Sequence, residues 1–284
     1  MKKIMALTLA LVMVLGTLTA CGGGSAAPTA KVIEINLTEE QYAFGVDKNQ
    51  PELLDATNAF IKKIKEDGTF DAICNKYFGD GTPEAVVSAE RDESKDQLVV
   101  ATNAAFAPFE YTEDGGKSYL GVDMEIAGLL AKELGLELVI VDMEFESVCT
   151  SVQLGQCDIA MAGLTINEER KELVNFSDSY YEASQQVIVL SDNTEFDACT
   201  SAADVENILN AKTKDCKIGV QKGTTGNWYV AGDADWGFAG LPVTCVEYSN
   251  GSLAIQDLLN GGVDYVIIDS APAAKITESI NAVQ

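Results

Sequence analysis

From Leu98 onward, short apolar runs alternate with stretches whose apolar residues recur at helical spacing. Leu98-Val99-Val100-Ala101-Thr102 is a continuous run of strand length. Gly121 then opens a segment in which Val122, Ile126, Leu129, Leu130 and Leu134 make one apolar stripe, and Gly135 stops it. Leu136 to Val141 predicts the next strand and Asp158 to Ala162 another. Lys217-Ile218-Gly219-Val220, Val243 to Val246 and Val263 to Ile268 predict three more, each separated by a helical segment. Such strand–helix alternation predicts an α/β fold with mainly parallel sheet.

The N-terminal part reads differently. Lys31 to Ile35 is a short alternating strand, and a long helix follows from Pro51, a good first helical residue, with Leu53, Phe60 and Ile64 on one face. Asp67-Gly68 interrupts it, and a second short helix ends near Tyr77-Phe78-Gly79. From Asp80 to Asp96 the chain turns polar and charged, the composition of a surface linker. Ahead of all this, Met1-Lys2-Lys3 is a positive start and Ile4 to Leu18 an apolar run broken only by Thr8, Gly16 and Thr17. At about fifteen residues the run is short for a membrane span and fits a signal peptide over residues 1–20. Leu18-Thr19-Ala20-Cys21 resembles the bacterial lipobox, which makes Cys21 the expected lipid anchor. Residues 21–30, beginning with Gly22-Gly23-Gly24-Ser25, are the expected tether. The mature protein is expected on the outer face of a membrane.

Composition narrows the chemistry. The formal charge is -25, and removing Lys2 and Lys3 with the signal peptide takes it to -27. That balance excludes a nucleic-acid partner, which would need a basic face. Histidine is absent, which removes the commonest general base and metal ligand together. Beyond Cys21 stand Cys74, Cys149, Cys157, Cys199, Cys216 and Cys245, with no C-x-x-C pair. Neither a zinc motif nor a redox motif is indicated, while disulfides and buried free thiols both remain open. No cofactor and no metal are expected. The remaining 264 residues suit one two-lobed unit, expected to be monomeric.

Six motifs then occur in order: Ala101-Thr102-Asn103-Ala104-Ala105-Phe106-Ala107-Pro108-Phe109-Glu110; Gly121-Val122-Asp123-Met124-Glu125-Ile126; Ala162-Gly163-Leu164-Thr165-Ile166-Asn167-Glu168-Glu169-Arg170; Phe176-Ser177-Asp178-Ser179-Tyr180-Tyr181; Gly219-Val220-Gln221-Lys222-Gly223-Thr224-Thr225-Gly226; and Asp264-Tyr265-Val266-Ile267-Ile268-Asp269. Together they resemble family 3 of the bacterial extracellular solute-binding proteins, the polar amino-acid binders that serve ABC importers. The resemblance implies a two-lobed, type II periplasmic-binding-protein fold with a hinge, closing on a free amino acid that is handed to a membrane permease subunit. The order of the ends departs from the family. Its closing portion is expected after Gln284 and instead resembles residues 31–79, with Leu37-Thr38-Glu39-Glu40-Gln41-Tyr42, Pro51-Glu52-Leu53-Leu54 and Lys76-Tyr77-Phe78-Gly79. The chain therefore resembles a circular permutant, a rearrangement tolerated where native termini lie close and the new break is at the surface. On this reading 31–41 is the N-terminal strand of lobe 2 with the first hinge, and 42–183 is lobe 1, with 80–96 joining the old termini. Residues 184–284 are then the second hinge and the rest of lobe 2. The competing arrangement is an upstream remnant with 31–79 packed elsewhere.

A free amino acid presents a carboxylate, an ammonium and a side chain. Arg170 is the candidate for the carboxylate, which a planar guanidinium can grip through two parallel bonds. On composition alone it could equally pair with Glu168 or Glu169 at the surface. Thr165, on the loop ahead of that helix, and Ala162 and Gly163 before it are counted with it. Thr224 and Thr225 lie in a glycine-flanked strand–helix turn able to complete the cage from the other lobe. Asp269 follows an apolar strand at the sheet edge where α/β proteins bind ligands and is the ammonium candidate; capping the next helix is its other reading, a role open to Ser270 as well. The family resemblance makes Phe106 and Phe145 the aromatic pair around the side chain. Asn103, often Asp in the family's basic and glutamine binders, and Gln221 suggest a neutral polar side chain first, a basic one second and a dicarboxylic one last. Trp228 and Trp236 read as packing. The other function classes are an enzyme on the same scaffold, dehydratase-like, and a sensory receptor module. Absent histidine weighs against the first, and the absence of a later membrane-spanning run against the second.

Overall fold

The computed structural model describes residues 27–284. The signal peptide, Cys21 and most of the tether lie outside the described residues.

The chain opens with β1 (Ala30–Ile33), β2 (Glu40–Tyr42) and β3 (Gly45–Val46), followed by helices α1 (Pro51–Glu66) and α2 (Thr69–Phe78). Pro51 sits in the first turn of α1, Glu52 beside it, and Lys63 and Lys65 in the last turn, each favourable to the helix dipole. Next come β4 (Gln97–Thr102), β5 (Ala105–Phe106), β6 (Glu110–Tyr111), α3 (Val122–Leu134) and β7 (Glu137–Asp142). Gly135 ends α3 in the left-handed conformation, at φ 73°, as its place after the apolar stripe predicts. The run continues with α4 (Val148–Gln153), β8 (Ile159–Ala160), α5 (Glu168–Leu173), β9 (Asn175–Phe176), β10 (Tyr181–Ala183) and β11 (Gln185–Leu190). It finishes with α6 (Ala202–Asn210), β12 (Lys217–Gln221), α7 (Thr225–Ala231), β13 (Thr244–Tyr248), α8 (Gly251–Leu259), β14 (Tyr265–Asp269) and α9 (Ser270–Asn281).

Two five-stranded sheets organise two lobes, and they repeat one pattern. In the first the order is β7-β4-β8-β3-β9 and in the second β13-β12-β14-β11-β1. Each has three parallel strands, then a strand running against them, then an edge strand. In each lobe the reversed strand arrives straight from a crossover: β3 follows β2, and β11 follows β10. The crossovers β2 and β10 pair antiparallel with each other, Tyr42 opposite Tyr181 and Ala183 opposite Glu40, forming the hinge.

Segment 51–79 packs on the lobe that holds β4. Glu125 of α3 accepts from Lys76 Nζ at 2.7 Å and Tyr77 Oη at 2.6 Å, and Lys63 pairs with Glu133 at 2.8 Å. Phe44 stacks on Tyr180 at 4.4 Å. In the other lobe, the main chain of Ala30 exchanges two hydrogen bonds with the Asn281 side chain (3.0 and 2.8 Å), so the first strand lies against the end of α9.

The polar stretch 80–96 is more ordered than its composition suggests. Val86 exchanges two main-chain bonds with Tyr119, Ala89 donates to Leu138, and Ser88 accepts from the N–H of Ile140. It thus runs along the edge of the first sheet as a fixed strap. All six cysteines beyond Cys21 are free thiols. Among the described residues, no helix is long and apolar enough to cross a membrane, and no cluster of acidic or sulfur side chains could hold a metal ion.

Candidate ligand-binding site

The lobes meet over the C-terminal ends of their parallel strands, and the loops leaving those strands line the cleft. Phe106, Phe145, Gly163, Thr165 and Arg170 come from the first lobe, and Gln221, Thr224, Thr225 and Asp269 from the second. They enclose a residual cavity of about 10 Å³, roughly room for one water. Anything larger than a water enters only when the lobes part.

Arg170 is positioned by its own helix. Asn167 caps α5 by accepting the Arg170 N–H at 2.6 Å, which fixes the start of this short helix. The guanidinium is buried. It donates to the carbonyl of Thr165 at 2.8 Å and, across the cleft, to the carbonyl of Gly223 at 3.1 Å. Its remaining N–H groups are left for an anion. The surface alternative does not occur: Glu168 pairs instead with Lys171. Thr165 and Thr225 face each other across the lobes, their hydroxyls 3.3 Å apart, and Thr165 also donates to Glu40 of the hinge at 2.7 Å.

Gly163 shows why a glycine belongs here. Its φ is +54°, and a Cβ would lie 2.9 Å from the Phe106 ring. Its N–H donates to Asp123 at 3.0 Å, and Tyr180 donates to the same carboxyl at 2.7 Å. Burial nevertheless dominates, and the Asp123 carboxyl is pushed up to about 7.

Asp269 occupies the N-cap position of α9, but its side chain makes no capping bond. The cap is therefore not Ser270, and the Asp269 carboxyl is turned elsewhere. It accepts from Tyr42 of the hinge at 2.6 Å. Burial, and next the charge of Glu40, push it up to about 7. Asp269 is thus a buried carboxyl that lines the cleft and is held by the Tyr42 phenol.

Asn103 and Gln221 are brought together in a way the sequence did not announce. Gln221 Nε2 donates to Asn103 Oδ1 at 3.1 Å across the cleft, and Asn103 Nδ2 donates to the carbonyl of Met143 at 2.7 Å. The two amides largely satisfy each other, leaving Gln221 Oε1 as a buried acceptor with no partner among the described residues.

Three residues of the site were not singled out from sequence. Glu110 is wholly buried, and neither carboxylate oxygen has a hydrogen-bond partner among the described residues. It pairs with Phe106 in the β5–β6 ribbon, so both side chains lie on one face. Burial, then the charges of Asp123, Asp269 and Asp142, hold its carboxyl well above the usual range. A glutamate inside an otherwise apolar motif was the available signal. Tyr42 carried no such signal, because its partner lies 227 positions away. Trp236 was read as packing and lies over the Arg170 guanidinium at 5.5 Å, with Phe145 at 5.1 Å from the same group.

The sequence profile of the bacterial extracellular solute-binding proteins, family 3, matches residues 5–80 and 98–264. The chain belongs to that family. Among curated members of the solute-binding family it is 38% identical over 102 residues to the arginine-binding extracellular protein ArtP of Bacillus subtilis (strain 168), covering 36% of this chain and 39% of ArtP. It is 31% identical over 183 residues to the probable histidine-binding protein of Neisseria gonorrhoeae, covering 63% of this chain and 61% of that protein. These alignments therefore span less than two thirds of the relatives' own lengths. Among solved structures, an ancestral arginine-binding protein bound to arginine matches with TM-score 0.54 and 35% identity, over 66% of this chain and 76% of that one; the same match holds for the form bound to glutamine. The ancestral amino acid-binding protein AncCDT-1, a precursor of cyclohexadienyl dehydratase, matches with TM-score 0.54 and 32% identity, over 65% of this chain and 75% of that one. The type II two-lobed fold of the family is the fold of this chain.

Proposed function

We propose that this solute-binding protein closes on a free amino acid with a basic side chain, arginine foremost, and passes it to the permease of an ABC importer. Arg170, Thr165 and Thr225 hold the carboxylate, Asp269 holds the ammonium, and Phe106 and Phe145 flank the side chain. One observation carries the choice of side chain: Gln221 in the cavity lining and Glu110, paired with the lining residue Phe106, keep buried acceptor oxygens with no partner among the described residues. Glu110 offers two oxygens and Gln221 one. A guanidinium brings only donors and a charge, so it answers all three. Ranking neutral polar side chains first rested on free amides at Asn103 and Gln221. The Gln221 amide N–H and the Asn103 amide oxygen are spent on each other, and the named relatives bind arginine or histidine. Glutamine, bound by one solved ancestor, ranks second. The named curated relatives are binding proteins, which supports binding over catalysis. Anchoring through Cys21 at the outer face of a membrane remains part of the proposal.

Calorimetric titration of the protein with arginine, histidine, glutamine and glutamate tests this reading. Arginine is expected to bind tightest, and Glu110→Gln to narrow its lead over glutamine by about tenfold or more, since a buried charge partner is lost. Glutamate or glutamine binding tightest in the parent would overturn the assignment.

We also propose that the chain is a circular permutant. The profile matches two segments separated by 81–97, and the ordered alignments to solved relatives cover about the share of the chain that starts at Leu98. The bonds between Ala30 and Asn281 fit an arrangement in which family members pass directly from the equivalent of α9 to the equivalent of β1.

A further inference from the structure

We infer that Trp236 is a lid over the carboxylate end of the site, contributed by the second lobe and seated only when the lobes are closed. The inference rests on the amino-acid-binding reading above. Trp236 stands in the connection between α7 and β13, on a small hairpin that presents it. Asp233 and Phe238 exchange two main-chain bonds, 2.9 and 2.8 Å. The Asp233 carboxylate accepts the N–H groups of Asp235 and Trp236 at 2.9 and 3.0 Å, and Gly237 turns the chain at φ +75°. The indole is braced from its own lobe: it stacks on Phe238 at 6.3 Å, and Phe238 meets Tyr229 edge-on at 5.4 Å.

The other side of the indole faces the first lobe. The Arg170 guanidinium lies 5.1 Å from the ring of Phe145, which belongs to its own lobe, and 5.5 Å from that of Trp236, which does not. Cations are attracted to aromatic faces, most strongly to tryptophan and most where water is excluded. When the lobes part, Phe145 stays with Arg170 and Trp236 leaves, so this contact favours the closed state alone. The same ring lines, with Thr165 and Thr225, a cavity of about 590 Å³ on the hinge side. Removing the ring gives the carboxylate end an exit toward that space. Trp236 is only half-buried, and its indole N–H is enclosed without a partner among the described residues.

The test is the release rate of labelled arginine chased with unlabelled arginine, with association rate and ligand-free melting temperature measured alongside. Trp236→Ala is expected to release arginine about three- to thirtyfold faster with association nearly unchanged, because closed-state contacts act on dissociation. Trp236→Leu, which fills space without a π face, should behave like alanine. Trp236→Phe should recover most of the parent's retention. Release at the parent's rate from Trp236→Ala, or full recovery by Trp236→Leu, would overturn the lid. A parent that binds none of arginine, histidine and glutamine would overturn the functional reading and the lid with it.

Discussion

Asp269 and Glu110 stand in the same electrostatic situation before a cation arrives. Each is buried, each has other carboxyls near it, and burial with those charges raises each carboxyl above its ordinary value. A ligand bearing two cationic groups would pull both values back down. Binding of arginine is therefore expected to release protons near neutral pH and to weaken as pH falls below about 7. The unliganded protein follows the opposite sign. The folded-state values of Asp123 and Asp269, about 7, lie above the ordinary aspartate value of roughly 3.9. Their contribution to stability is fully present below that ordinary value and is lost as pH rises through about 7. Melting temperatures with and without arginine at pH 5.5, 7 and 8 check this. The gap between them should widen with pH, and a gap that narrows would contradict the protonation of the empty site. Phe106, Phe145, Arg170 and Asp269 were legible as candidates because motif and chemistry agreed on them. Glu110 sat in plain view within its motif, and only its burial without a partner gave it a role.

At the scale of elements, α2 and the strap that follows it are tied to α3 at one carboxylate. Glu125, buried on the inner side of α3, accepts from Lys76, Tyr77 and the N–H of Glu84, at 2.7, 2.6 and 3.2 Å. Glu125→Ala leaves a buried phenol without its acceptor and a half-buried ammonium with only the exposed Glu84, 3.2 Å away. A loss of about 2–4 kcal/mol in unfolding free energy is expected, measured by denaturant titration, with Tyr77→Phe costing about 1 kcal/mol. A loss below about 0.5 kcal/mol for Glu125→Ala would mean that α2 is held by its apolar face alone. Helix and strand positions were largely visible in the apolar pattern. The strap was not, since Val86, Ser88 and Ala89 bond through main-chain groups and one hydroxyl, which composition does not encode.

The described residues form one hinge and two similar sheets, with Ala30 and Asn281 side by side in one lobe. If the order of segments is a permutation, joining Asn281 to Ala30 by a short linker and opening the chain within residues 81–97 should restore the family's order. That rearranged chain is expected to fold and to bind the same amino acid within about threefold of the parent, because chain connectivity changes while the packed surfaces do not. An insoluble product, or one that binds nothing, would favour the upstream-remnant arrangement. The rim pair Lys222–Glu146, 2.9 Å apart across the cleft, is half-exposed and is expected to add little to closure.

Local and periodic information carried most of the elements: the stripe from Val122 to Leu134 with Gly135 behind it, Pro51 at its helix start, the apolar run before Asp269. It also named the family, since six motifs in order are a one-dimensional signal. What the tertiary structure alone decided is who faces whom. Tyr42 reaches Asp269, Gln221 consumes Asn103, Trp236 covers Arg170, and Glu110 is left with no one. Each of these depends on two segments far apart in the chain meeting across a hinge, or on a meeting that does not occur. Partnership and burial at that distance set the charge of a carboxyl, and no spacing along the sequence reports them.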